Sequence, residues 1–475
     1  MGNIATIEEA SKRAFGIGMG SFEILNITGI PLAVHASQSL GDELGLFYKT
    51  PDILREQMDK NQDWDLNDGP VEEDKIPAIV ERFYGICLGV AATIVDENTA
   101  SIEDINLGAR IGLRWEKGPF EIMNKIGIYE TCRVVEAMTR KYSGFAMPKI
   151  LLKQQKKQIP FKFKIVDLEI KNNIAWITIN RPDAMNALNE DVIEQMNESF
   201  LFAENHPNVN AIVFQGAGKA FVAGADIQFF LDNVKAGTIN NIKTFTRKGH
   251  ELFLRIEQCQ KKTIALLDGL SLGGGSELAL SCQYIIATPS GSIGFPETGI
   301  GIIPGLGGMI RTQRIIGTEL AKYFIFTGET IGAKDALALG LVYTIVEPAG
   351  IESAVKQIID DNNFKKYRNV SILEEYQNIA DICSPSNIDA VLNGSDFVGI
   401  PKEMNTRIVK TLTRKSGAAI KLANDVMDAQ VIMSVKDAVE YELEQIESLF
   451  STNDAIEGLT SVVEHRKPKF KGNKS

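Results

Sequence analysis

The chain has 475 residues, 44% of them apolar and 23% charged, and carries a formal net charge of −11. That length exceeds what one hydrophobic core supports, so two or three domains are expected. The acidic balance argues against a nucleic-acid partner, which needs a basic face, and the five scattered cysteines (Cys87, Cys132, Cys259, Cys282, Cys383) form no C-x-x-C pair for zinc or disulfide chemistry.

The N-terminus has no basic segment followed by an apolar core, and no run of about 18 apolar residues is unbroken, so neither a signal peptide nor a membrane span is expected. With the odd, unpaired cysteines this predicts a cytoplasmic protein. Residues 1–152 read as all-helical and carry an internal repeat. Ala5-Thr6-Ile7-Glu8-Glu9 with Gly20-Ser21-Phe22-Glu23-Ile24 is echoed by Ala100-Ser101-Ile102-Glu103-Asp104 with Gly118-Pro119-Phe120-Glu121-Ile122, and Gly29-Ile30 matches Gly127-Ile128. Thr6 and Ser101 are the expected N-caps, and Ser21 and Pro119 start the second helix of each copy. A long apolar-rich helix is expected over 76–97, ahead of the second copy only. His35 reads as a helix-face histidine, and residues 153–164, basic and glutamine-rich, as a linker.

Residues 165–170 and 174–179 alternate apolar and polar around Lys171-Asn172-Asn173, which predicts a hairpin. A helix over 189–205, a strand over 211–214, a helix near 243–258 and a strand over 263–267 follow, predicting an α/β core. In Gly273-Gly274-Gly275-Ser276-Glu277-Leu278 a glycine turn runs straight into a helix, leaving unpaired N–H groups where the dipole also favours negative charge. Phe221-Val222-Ala223-Gly224-Ala225-Asp226-Ile227 is a second small-residue turn. Twenty residues beyond Glu277, Phe295-Pro296-Glu297-Thr298-Gly299 offers a second carboxyl, so the two glutamates read as an acid–base pair.

On these motifs, together with Asn180-Arg181-Pro182, Asn186-Ala187-Leu188 and Ile303-Pro304-Gly305 in the same order, residues 165–350 resemble the enoyl-CoA hydratase (crotonase) family. The likeness resumes over 401–472. It implies a spiral of β-β-α units, a C-terminal helical trimerisation region within 351–475, and assembly as a homotrimer or a hexameric dimer of trimers. It also implies an oxyanion hole at the N–H groups of Ala225 and Gly274, Glu277 as the base that activates water and Glu297 as the acid that protonates Cα. Gly305 would help hold the water, and Ala184, Met185, Ala223, Asp226 and Ile227 would hold the acyl-CoA. The helix-dipole position of Glu277 favours its carboxylate, and the apolar flanks of Glu297 favour the proton.

The implied reaction is hydration of a trans-2-enoyl-CoA, with coenzyme A as part of the substrate and no other cofactor. The alternatives are a Δ3,Δ2-enoyl-CoA isomerase using Glu297 alone, or a non-catalytic CoA-binding scaffold. Gln283, Gln228 and His465 depart from the residues usual in the family, and residues 361–401 are an insertion. The N-terminal repeat resembles the C-terminal helical domain of the 3-hydroxyacyl-CoA dehydrogenases. No G-x-G-x-x-G occurs, so no NAD is expected on this chain, and a separate NAD-binding dehydrogenase domain is the expected partner.

Overall fold

A computed structural model describes residues 2–360 and 374–471, so the start of the 361–401 insertion and the last four residues lie outside the described residues. The chain divides into two compact units between Lys164 and Ile165.

The first unit is helical throughout: α1 (Ile4–Phe15), α2 (Ser21–Thr28), α3 (Ile30–Leu44), α4 (Asp52–Lys60), α5 (Ile76–Asp96), α6 (Ile102–Gly112), α7 (Pro119–Ile126), α8 (Ile128–Lys141) and α9 (Lys149–Lys157). Helices α1 to α4 run 12, 8, 15 and 9 residues, and α6 to α9 run 11, 8, 14 and 9. Between the second and third helix of each set stands a glycine at positive φ, Gly29 at 92° and Gly127 at 86°, a conformation that side chains with a Cβ resist. Ser101 caps α6 by accepting the Asp104 N–H. Thr6 does not cap α1: Asn3 does, its Oδ1 accepting both the Thr6 N–H and the Thr6 hydroxyl, which places Thr6 inside the helix. Most of the expected linker's first half is also helix, because α9 buries Leu151 in the unit's core and runs on to Lys157. His35 is exposed on α3.

Helix α5 packs against α1 and α8. The span Glu73–Asp96, which includes α5, is long and apolar enough to cross a membrane. Glu81 and Arg82 interrupt its apolar run in the sequence.

The second unit begins with the hairpin β1 (Val166–Lys171) and β2 (Ile174–Ile179), paired antiparallel around Asn172 and Asn173, both at positive φ as the tight turn requires. Then α10 (Glu190–Asn205), capped by Asn189, leads to β3 (Ala211–Gly216) and β4 (Ala220–Ala223). Helices α11 (Ile227–Lys235) and α12 (Ile239–Gln258), strands β5 (Lys262–Leu267) and β6 (Leu270–Leu272), and helix α13 (Gly274–Ser281) follow. Next are β7 (Tyr284–Ala287), β8 (Ser292–Gly294), α14 (Gly308–Ile316), α15 (Thr318–Thr327), β9 (Ile331–Gly332), α16 (Ala333–Ala338) and β10 (Thr344–Ile345).

Strand order explains the winding. One sheet runs β1-β2-β3-β5-β7-β10 and the other β4-β6-β8-β9. Each successive pair, β3/β4, β5/β6 and β7/β8, therefore gives one strand to each sheet before the chain returns through helices. The chain climbs as a β-β-α spiral whose neighbouring turns pair in parallel. Continuous apolar runs such as Ala211–Phe214, buried throughout, suit strands covered on both faces.

After α17 (Ile351–Asp360), the described part of the insertion holds α18 (Glu374–Ala380) and α19 (Ile388–Asn393). Helices α20 (Lys402–Leu412), α21 (Gly417–Gln430), α22 (Val435–Phe450) and α23 (Asn453–Val463) complete the unit. Helix α22 lies on α12, and α23 on α11.

Candidate active site

The motif residues are first of all braces for two turns. Arg181 Nη2 reaches Asp226 Oδ2 at 2.8 Å and its Nη1 donates to Ala187 O at 2.9 Å. Asn186 accepts the Arg181 N–H and donates to Ala217 O and Ala220 O. A parallel bridge runs from Leu188 N to Gly224 O and from Asp226 N to Leu188 O, leaving the Ala225 N–H out of the ladder. Opposite, Gly273 N donates to Gly294 O, and Ser276 Oγ accepts the Gly294 N–H while lying 2.8 Å from Ser271 O. Gly274 is the first residue of α13, where a helix N–H has no intrahelical acceptor.

These two turns border a cavity of about 230 Å³. Ala223, Gly224, Ala225, Ile227, Gly273, Gly274, Glu277, Glu297 and Gly305 line it, and Phe230, Phe245, Ile446, Leu449 and Phe450 from α11, α12 and α22 form its apolar side. Of the ten expected site residues, Ala225, Gly274, Glu277, Glu297, Gly305, Ala223 and Ile227 meet in one place, whereas Ala184, Met185 and Asp226 are not among the lining residues. Asp226 is turned away by its pairing with Arg181 and by capping α11 through the Gln228 N–H. Met185 instead lends its carbonyl to the Ala223 N–H at 3.0 Å.

Both carboxyls are buried, Glu277 at 2% and Glu297 at 7% exposure, but their surroundings differ. Glu277 Oε1 accepts the N–H groups of Leu306 and Gly308 at 2.7 and 2.9 Å. Glu297 Oε2 has no hydrogen-bond partner among the described residues. Space for the pair is secured by glycine: a Cβ at Gly308 would come within 2.8 Å of Glu277 Cγ, and one at Gly273 within 2.4 Å of Glu297 Oε1.

The helix dipole does not decide the ionisation of Glu277, contrary to the expectation from sequence. Burial outweighs the two N–H donors and the nearby Arg311 and pushes the carboxyl up to about 7. Burial acts harder still on Glu297, aided by repulsion from Glu277, and holds it well above the usual carboxylate range; the half-buried Lys415 only partly opposes this. Above about pH 7, once Glu277 has shed its proton, the pair holds one proton, on Glu297.

A rate that needs Glu277 ionised and Glu297 protonated falls as pH drops through about 7 and again at higher pH, as Glu297 loses its proton. We expect kcat/KM of a reaction that uses the pair as base and acid to have a bell-shaped pH profile with its acid limb near 7 rather than near 4.5. A pH series of the activity reads this directly, and an acid limb near 4.5 would contradict the assignment of the base.

Sequence reading missed the groups behind the pair. Arg311, fully buried on α14, reaches Glu257 Oε2 on α12 at 3.0 Å and donates to Leu306 O and Gly307 O at 3.1 and 3.3 Å. His250 on α12 is also buried, and burial with Arg311 nearby pushes it down to about 3, leaving a neutral ring. Glu442 on α22 lines the cavity as a third carboxyl. The available signal for it was a glutamate on the apolar stripe formed by Val439, Leu443 and Ile446. Arg311→Met takes the buried guanidinium away from Glu257 and from Leu306 O, while Gly307 O keeps the backbone N–H of residue 311; urea unfolding should register a loss of about 3–5 kcal/mol.

Gln283 donates to Cys259 O and Gln228 to Asp232, so both serve local ties, and His465 is exposed at φ 52°.

Comparison with known proteins places this geometry. Residues 174–474 match the family model described as enoyl-CoA hydratase/isomerase. The chain is similar to a short-chain-enoyl-CoA hydratase of Clostridium acetobutylicum, 33% identical over 303 residues, which span 64% of this chain and 95% of that protein. A crotonyl-CoA hydratase of Syntrophomonas wolfei is 38% identical over 197 residues, 41% of this chain and 74% of that protein. Among solved structures, an enoyl-CoA hydratase from Rhodobacter sphaeroides superposes with a TM-score of 0.57 at 21% identity, covering 65% of this chain and 92% of that one, a likeness of fold.

Proposed function

The chain belongs to the enoyl-CoA hydratase/isomerase family, and from that premise we propose that its second unit is a hydro-lyase adding water reversibly to a trans-2-enoyl-CoA to give a 3-hydroxyacyl-CoA. The observation that carries the reading is the unequal pair of buried carboxyls in one cavity, one tied by two N–H donors and one whose Oε2 has no partner among the described residues.

In this mechanism the thioester oxygen lies between the N–H groups of Ala225 and Gly274, each donor contributing about 3 kcal/mol to the enolate-like transition state. Glu277, its Oε1 held, uses Oε2 to take a proton from water as the oxygen attacks Cβ. Glu297 delivers its proton to Cα on the same face, so addition is syn. Gly305, in the cavity wall next to the turn that holds Glu277, is placed to orient the water. Ala223 and Ile227 border the route by which the CoA enters, and Met185 and Asp226 act through the turn they brace. Coenzyme A arrives as part of the substrate, and these steps call on no metal or redox group.

Spectroscopic hydration of crotonyl-CoA tests the reading, and no turnover at any acyl length would refute it. An isomerase using Glu297 alone differs in one respect: its activity survives replacement of Glu277.

Residues 1–152 are read as two repeats, the first incomplete, of the kind found in the C-terminal domain of 3-hydroxyacyl-CoA dehydrogenases, serving as a dock for an NAD-binding dehydrogenase domain. Support comes from the matching helix lengths and the paired glycines at positive φ. Homotrimeric assembly, or a dimer of trimers, through the C-terminal helices is part of the same reading. The exposed Val431 and Ile432, between α21 and α22, favour a further contact there. Sedimentation analysis of the full chain distinguishes these assemblies from a monomer. A cytoplasmic site of action fits a CoA-linked substrate and is open to cell fractionation.

A further inference from the structure

Three successive N–H groups leave the turn before α14 in alternating directions. Those of Leu306 and Gly308 go to Glu277 Oε1, and that of Gly307, between them, goes to Glu442 Oε2 at 2.9 Å. The other oxygen of Glu442 accepts from Gln430 Nε2 on α21 at 2.8 Å, and Glu442 itself is 2% exposed. Arg311 meanwhile takes the carbonyls of Leu306 and Gly307. The turn is thus gripped on both faces, and it needs to be: Gly307, at φ 86°, and Gly308 have no side chains to hold the backbone.

We propose that Glu442 is a positioning residue for the hydration, fixing through the Gly307 N–H the turn that ties one oxygen of Glu277 and leaves the other free for water. This rests on the hydratase reading. The ionisable groups that act on Glu442 are Glu277 on α13 and Arg311 on α14, and Arg311 is itself paired with Glu257 on α12. Burial and the nearness of Glu277 push Glu442 up to about 8, so near neutrality it adds little negative charge beside the base. Its task is geometric, and without its acceptor the Gly307 peptide is left buried and unpaired, free to turn and carry the Leu306 and Gly308 donors off line.

The test compares E442L, which fills the space without an acceptor, with E442Q, which keeps one, each alone and combined with E277Q, in crotonyl-CoA hydration. E442L should lower kcat by about 10–100-fold with KM changed by less than about threefold, and E442Q should recover most of the loss. In the E277Q background the cost of E442L should shrink to less than about threefold, because the residue acts through Glu277. If E442L does not fold, E442D, whose carboxyl stops one methylene short of Gly307, carries the same expectation. Wild-type kcat in E442L, a loss confined to KM, equal losses in E442L and E442Q, or an undiminished loss in the E277Q background each overturn the proposal. A wild-type chain that hydrates nothing overturns it together with the hydratase reading, which separates the two failures.

Discussion

Glu277→Gln should lower kcat for crotonyl-CoA hydration by about a hundred- to ten-thousand-fold while moving KM by no more than a few-fold. The amide oxygen of glutamine still accepts the Leu306 and Gly308 N–H groups, so the turn before α14 and the fold around it have no reason to change. What is lost is the free carboxylate oxygen that takes the proton of the attacking water. A loss of about a thousandfold corresponds to about 4 kcal/mol of transition-state stabilisation, more than one oxyanion-hole donor supplies. Isomerisation of a 3-enoyl-CoA, which needs a single proton shuttle, should persist in the same variant. Equal loss of both reactions would remove the division of labour between the two glutamates.

Glu297→Gln should cost hydration a similar factor, about a hundred- to ten-thousand-fold, for the opposite reason. Burial and the neighbouring Glu277 keep Glu297 protonated, so glutamine imitates its neutral shape but has no proton to give to Cα. Because the variant resembles the neutral state, the acid limb belonging to Glu277 should stay near pH 7. The alkaline limb, which reports loss of the Glu297 proton, should disappear. Measured pH profiles of kcat/KM for this variant check both limbs, and an alkaline limb that survives would assign it to another group.

How far the sequence went depended on what each residue does locally. Glycine turns and alternating strands announce themselves within a few residues, so the hairpin around Asn172, the triple-glycine entry to α13 and the two glutamates were legible, and the glycine turn and the glutamates converge on one cavity. Thr6 misled because a helix start offers several polar residues as caps, and only the fold shows Asn3 reaching its N–H. Glu277 misled for an energetic reason: a dipole at a helix start is a modest effect, while complete burial is a large one, and burial is not visible in a motif. Arg311, Glu257 and Glu442 come from three helices far apart in sequence, and the grip of Glu442 and of the Glu257-paired Arg311 on residues 306 and 307 exists only once those helices pack.

The most direct test is to follow the conjugated enoyl-thioester absorbance of crotonyl-CoA with the purified chain and with its E277Q variant. Rapid loss of absorbance with the wild type, abolished or reduced by about a thousandfold in the variant, is the predicted result. Hydration that is absent in the wild type, or that survives intact in E277Q, would contradict the account.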